Sequence, residues 1–347
     1  MKIYSEKFFD LPDGRQAELF TLENNSGMQV QISNYGGAVR RILVPDKNGI
    51  FGDVMLGYKT AEEYISNPEY FGALLGRQTN VMDGNIVEIA GTTYELEKNY
   101  NDDHLHGGSN GLTYRLLDAD VGVINEEPSL ILTHTMEHMS DGYPGNLDVT
   151  VKYTLTNKNA LKISYKAVSD ADTMISFSNH THFNLGGHGS GTMYDHILYI
   201  YADFYNPIDD RCIPTGEILK VEGTPFDFRN GNKIGDVIFT DCEQLNIYGG
   251  YDHNYVITGH GYRKAATLKH PESGREMEVY TDLPGVHLYT CNFTSDGIYK
   301  DGKTYQKHQG MCFETQIFPD ATNMPWVLSP IHKAGEEYTT TTEFRFV

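Results

Sequence analysis

The segment Ser178-Asn179-His180-Thr181-His182-Phe183-Asn184-Leu185-Gly186-Gly187 sets two imidazoles two residues apart. On an extended segment such a pair projects from one face. The run Thr173 to Phe177 before it reads as a strand, and Gly186-Gly187 ends it. Imidazole is the side chain best suited to giving or taking a proton near neutral pH. A second anchor lies far along the chain, in Phe313-Glu314-Thr315-Gln316-Ile317-Phe318-Pro319-Asp320. There one carboxylate sits in a strand-like apolar run that ends at a proline turn. A glutamate on a buried strand costs free energy unless it is partnered, so its presence points to a working group. A glutamate and a histidine brought together across a sheet would supply acid/base chemistry.

Four further segments could join them. Asn101 to Gly108 places a second His-x-His, His104 and His106, before a double glycine. Asp252 stands at a loop-to-strand junction in Gly250-Tyr251-Asp252-His253-Asn254-Tyr255, and His287 follows the turn Asp282-Leu283-Pro284-Gly285. Gly76-Arg77-Gln78-Thr79-Asn80 follows an apolar run. Taken singly each has a plain structural reading: a turn aspartate, a core histidine bonded to its neighbours, a solvated loop residue at His104. A metal site built from His104, His106, His180, His182 and Glu314 is a rival, since these are zinc and iron ligands. Neither His-x-His is followed by the nearby glutamate of a cupin-type site, so no metal and no cofactor is expected.

The elements that must position these groups are strands. Leu19–Thr21, Met28–Ser33 and Ala38–Val44 lead to the turn Pro45–Gly49. Asn85–Ile89, Ser129–His134, Leu147–Thr156, Leu161–Val168, Ala266–His270, Glu276–Thr281 and Thr339–Val347 carry the same pattern, separated by glycine and asparagine turns. Helix signals are sparse: Thr60-Ala61-Glu62-Glu63 fits a capping box, but the pattern behind it runs only to about Asn67. No linker or repeat divides the chain. The expectation is one all-β domain over residues 1–347, a large antiparallel β-sandwich (a supersandwich) with very little helix and a concave face for polar groups.

The formal charge is −20, from 27 Lys plus Arg against 47 Asp plus Glu. Such a surface repels phosphate backbones and argues against nucleic-acid binding, while a neutral ligand is indifferent to it. The four cysteines, Cys212, Cys242, Cys291 and Cys312, are scattered without a Cys-x-x-Cys pair, as expected of buried thiols in a reducing compartment. There is no run of about 18 apolar residues, and Met1 to Lys7 lack the apolar core of a leader, so a cytoplasmic, membrane-free protein is expected.

Taken in order, LHGG (Leu105–Gly108), DGYPGNL (Asp141–Leu147), NHTHFNL (Asn179–Leu185), GYDHNY (Gly250–Tyr255), DLPG (Asp282–Gly285) and FETQ with FPD (Phe313–Asp320) resemble the galactose mutarotase, or aldose 1-epimerase, family across nearly the whole chain. The resemblance implies a β-sandwich enzyme that interconverts α and β anomers of a free aldose without a cofactor, as a monomer or homodimer. It maps the base at the C1 hydroxyl to Glu314 and the acid at the ring oxygen to His180. His106 and Asp252 map to sugar-binding positions, with Asn80, Arg77, His182 and His287 as further candidates. Opening a hemiacetal requires a base at O1 and an acid at O5, each worth about 10²–10⁴-fold, and no metal or covalent nucleophile.

The chain departs from the family at several points. Asn80 is followed by Val81 where the family has an arginine, His182 stands for a tyrosine, His287 for a glutamine, and Tyr114-Arg115 where a tryptophan is common. The acid/base pair is kept while the sugar-holding shell changes. This implies a preferred sugar other than galactose, such as a substituted hexose or a disaccharide with a free reducing end. A non-catalytic sugar-binding or regulatory protein on the same scaffold is the second rival.

Overall fold

A computed structural model describes residues 1–347. Most of the strand residues lie in three antiparallel sheets. A five-stranded meander runs Lys2–Asp10, Gln16–Glu23, Gln29–Ser33, Val39–Pro45 and Phe51–Asp53. A nine-stranded sheet is ordered Asp118–Ile124, Glu127–Met136, Leu147–Leu155, Ala160–Ser169, Glu337–Phe346, Arg275–Thr281, Arg263–His270, Ile197–Ile200 and Asn232–Lys233. Its centre is non-local, because the strand Glu337–Phe346 pairs with Ala160–Ser169 on one side and with Arg275–Thr281 on the other.

The third sheet positions the site. Its six strands run His182–Phe183, Met311–Gln316, Gly285–Tyr289, Asp252–Ile257, Ala202–Tyr205 and Leu219–Lys220. Alternation divides its side chains. Val286, Leu288, Met311, Phe313, Tyr255 and Ile257 belong to a continuous core of 55 buried residues, which also takes in Leu22, Val30 and Ile42 from the five-stranded meander and Leu130, Val151 and Phe344 from the nine-stranded sheet. His287, Tyr289, Glu314 and Asp252 alternate with those core residues and line a cavity on the opposite face. One face thus holds the protein together and the other is free to do chemistry.

Apart from Thr173 to Phe177, the strands expected from the sequence are present, with ends displaced by three residues or fewer. Lys2–Asp10 was not expected, because its side chains are mostly exposed and show no clear alternation. The capping box is half formed: the Thr60 N–H donates to Glu63 Oε2 at 2.6 Å, no side-chain cap bond answers it, and the turn that follows is a 3₁₀ helix over Glu62–Ile65. The only α-helices are Ile234–Val237 and Glu243–Tyr248, both too short to show a helical period. No helix is long and apolar enough to cross a membrane.

Candidate active site

The two anchors meet in a cavity of about 240 Å³. His180 does not lie on a regular strand. Ser178–Asn179 pairs with Leu74–Leu75, and His182–Phe183 pairs instead with Met311–Cys312. His180 sits where the chain crosses between them, its N–H donating to Ala73 O at 2.9 Å and its carbonyl accepting from Gly72 N–H at 3.0 Å. The reading of Thr173 to Phe177 as a strand is corrected here: only Thr173–Met174 pairs, with Ile331–His332.

His180 Nε2 lies 3.4 Å from Glu314 Oε1, both residues being buried. On its other side His180 Nδ1 is 3.5 Å from the Cys312 thiol, two residues before Glu314 on the same strand. Burial pushes the Glu314 carboxyl up to about 7, with His287 pulling it down and Asp252 pushing it further up. Burial, then the neighbouring His182, His106 and His287, hold His180 well below the usual imidazole range.

Register places His287 directly between Glu314 and Asn254 on the flanking strands. Its Nε2 is 2.7 Å from Asp252 Oδ1. Burial opposes charge on His287, but the hydrogen bond and charge of Asp252 and the charge of Glu314 outweigh it and raise its pKa. His106 enters from the opposite wall. It sits at φ 52°, and its Nδ1 accepts the Asn80 N–H at 3.1 Å. The glycine behind it is required: Gly107 has φ +89°, and a Cβ there would lie 2.3 Å from Gly76 O. Burial lowers His106 to about 3, with His287 and His104 contributing.

His180, Glu314, His106, Asp252, Asn80 and His287 therefore share one cavity. Two candidates fall outside its lining. Arg77 is fully buried, its guanidinium donating to the carbonyls of Met136, Glu137, Pro144 and Gly145 at 2.8–3.2 Å and to Thr173 Oγ1 at 3.1 Å. It clips the Asp141–Gly145 turn in place rather than reaching a ligand. His182 lies beneath His180, ring centroids 4.7 Å apart, and packs edge-on against Phe71. Its Nδ1–H donates to the His180 carbonyl at 3.0 Å, so it braces the chain where the acid/base candidate emerges. His104 is corrected too. It is buried, Nδ1 2.7 Å from Glu97 O and Nε2 2.6 Å from the Tyr143 hydroxyl.

Several lining residues were missed. Tyr289 could have been found, since it follows His287 at the two-residue spacing of one strand face. Tyr70, Tyr100, Cys212 and Phe293 arrive on loops without a local signal. Val81 and Leu105, paired opposite one another, form an apolar stretch of wall.

The atoms of His180, His182 and Cys312 lie within 4.8 Å of one another, as do those of His106, His180 and Glu314. Burial pushes the Cys312 thiol well above its ordinary value, so it keeps the proton it shares with His180 Nδ1. Within the two trios the side-chain contacts are the Cys312 Sγ to His180 Nδ1 hydrogen bond and the 3.4 Å approach of His180 Nε2 to Glu314 Oε1.

A large antiparallel β-sandwich holds a buried carboxyl against an imidazole in a cavity ringed by polar groups, an arrangement that can carry acid/base chemistry on a small ligand. The aldose 1-epimerase family model matches residues 18–345. Mouse galactose mutarotase is 38% identical over 98% of this chain and 97% of its own. Escherichia coli aldose 1-epimerase is 32% identical over 97% of each. The solved structure of galactose 1-epimerase from Lactobacillus acidophilus superposes with a TM-score of 0.88 at 28% identity, covering 100% of this chain and 98% of that one. The chain belongs to the aldose 1-epimerase family and is, with it, an isomerase. The activity that goes with the family is exchange between the anomers of an aldose.

Proposed function

We propose that this isomerase interconverts the α and β anomers of a free aldose, with Glu314 as the base at O1 and His180 as the acid at the ring oxygen. The observation that carries the assignment is the 3.4 Å approach of His180 Nε2 to Glu314 Oε1 inside the cavity. O1 and the ring oxygen are bonded to the same carbon, so the two groups that serve them must stand close together. The Glu314 carboxylate takes the O1 proton as the C1–O5 bond breaks, C1 becomes the aldehyde carbon, and O5 takes a proton from His180. Rotation about C1–C2 presents the other carbonyl face. The reverse transfers then close the ring as the opposite anomer.

A proton acceptor works best with a pKa near the operating pH, and burial brings Glu314 to about 7. His106, Asp252, His287 and Asn80 are placed to bind sugar hydroxyls, with the buried Nδ1 of His287 lacking any protein partner. The preferred aldose differs from galactose in this reading, because Val81, where the family has an arginine, offers no hydrogen bond to a hydroxyl on its side. NMR saturation transfer on glucose, galactose, xylose and maltose tests both parts. Exchange should fall by about 10²–10⁴-fold in Glu314→Gln. Unchanged exchange in that variant would remove the assignment, and a clear galactose preference would remove the specificity reading.

A further inference from the structure

Five imidazoles gather in and behind the cavity: His106, His180, His182, His253 and His287. Four are driven toward neutrality by burial, and His287 alone is shifted upward. Its setting explains the difference. It occupies the middle strand of three, only 2% exposed, with Nε2 2.7 Å from Asp252 Oδ1. On the other flanking strand Glu314 stands directly opposite, where side chains begin about 4.5–5.5 Å apart. His287 Nδ1 and Glu314 Oε2 are both buried without a protein partner.

We propose that His287, clamped by Asp252, is a positioning residue that acts through Glu314, holding it in the carboxylate form that the acid/base reading above requires. That role follows from the proton balance of ring opening. The working pair starts as carboxylate and imidazolium and ends as carboxylic acid and imidazole, having moved one proton from O1 to Glu314 and one from His180 to O5. Removing water from both groups favours the uncharged end state before any sugar is bound. A fixed cation beside the glutamate opposes that drift. The groups facing it decide whether the cation is effective. Asp252 on one flank supports the charge. His253 and His106 are uncharged neighbours, His180 is the acid of the working pair itself, and the Cys312 thiol on the other flank stays protonated. Glu314 is then the carboxyl left to respond. At His180, burial, His182 and His106 all weigh more than His287, so the cation acts chiefly on the base.

The test is the pH–rate profile of glucose anomer exchange from about pH 5 to about pH 9 for wild type, His287→Gln and Asp252→Asn. Loss of a cation at this separation should move the acid limb up by about one pH unit. The ratio of the rate at about pH 8.5 to that at about pH 6 should therefore grow about tenfold in His287→Gln, and by less in Asp252→Asn, where losing the cation and losing Asp252's own upward push on Glu314 oppose one another. Carboxyl ¹³C NMR titration of folded wild type and His287→Gln reads the Glu314 pKa directly, whatever activity remains, and should show the same upward move. An unmoved or lowered Glu314 pKa in folded His287→Gln overturns the proposal. Wild-type exchange in Glu314→Gln would instead overturn the acid/base reading beneath it.

Discussion

Replacing Arg77 by methionine separates a structural clip from a sugar contact. The guanidinium donates to four main-chain carbonyls and one hydroxyl with no exposure to solvent. Of those carbonyls, Glu137 O also accepts the Ser140 N–H, while Pro144 and Gly145 have no second donor. A buried acceptor stripped of its partner costs about 1–3 kcal/mol. Two such losses, together with the lost stacking over Tyr143 at 5.6 Å, give about 3–5 kcal/mol, moderated by no longer burying a charge. Urea unfolding followed by circular dichroism would measure the loss, and saturation transfer at low temperature would give kcat and KM for the folded fraction. The expected pattern is a large fall in stability with KM changed less than about threefold. Destabilisation below about 1 kcal/mol combined with a tenfold or greater rise in KM would refute the reasoning and return Arg77 to the sugar.

Three other outcomes can be checked. Glu314 binds a proton more tightly folded than its ordinary value of 4.5, so the native state holds more protons than the unfolded one between that value and about 7. Stability should fall as pH rises through this window, and Glu314→Gln should gain on the order of 3 kcal/mol relative to wild type at pH 8 in denaturant titrations. Gly107→Ala forces a side chain into φ +89° and against Gly76 O; a cost of about 1–3 kcal/mol and a displaced His106, read as a raised KM, are expected from unfolding and exchange assays. Phe293→Ala removes a 55% exposed aromatic at the cavity mouth, and should raise KM severalfold while changing stability by less than about 0.5 kcal/mol.

That Glu314 and His180 would share a site was legible because a carboxylate is costly inside an apolar run unless it is partnered, and a His-x-His beside a double glycine marks a candidate partner. Alternation then assigned each strand a core face and a site face, as Val286 and Leu288 against His287 show. Arg77 was not legible, because a buried arginine satisfied by carbonyls and one satisfied by a ligand look alike along the chain. His182 misled for another reason. The two rings do come together, but the chain changes partners between Asn179 and His182, and His182 ends beneath His180 and outside the cavity lining. The loop residues Tyr70, Tyr100 and Phe293 are brought in by distant contacts that no local pattern encodes.

The strand Glu337–Phe346, wedged between Ala160–Ser169 and Arg275–Thr281, has a consequence for how the molecule is made. Until residue 337 and those after it leave the ribosome, the largest sheet is two separate pieces, each with a long unpaired rim. Such rims invite pairing with other chains. The nascent protein thus carries both rims until Glu337–Phe346 has emerged, and the insertion of that one strand joins the two pieces and closes them.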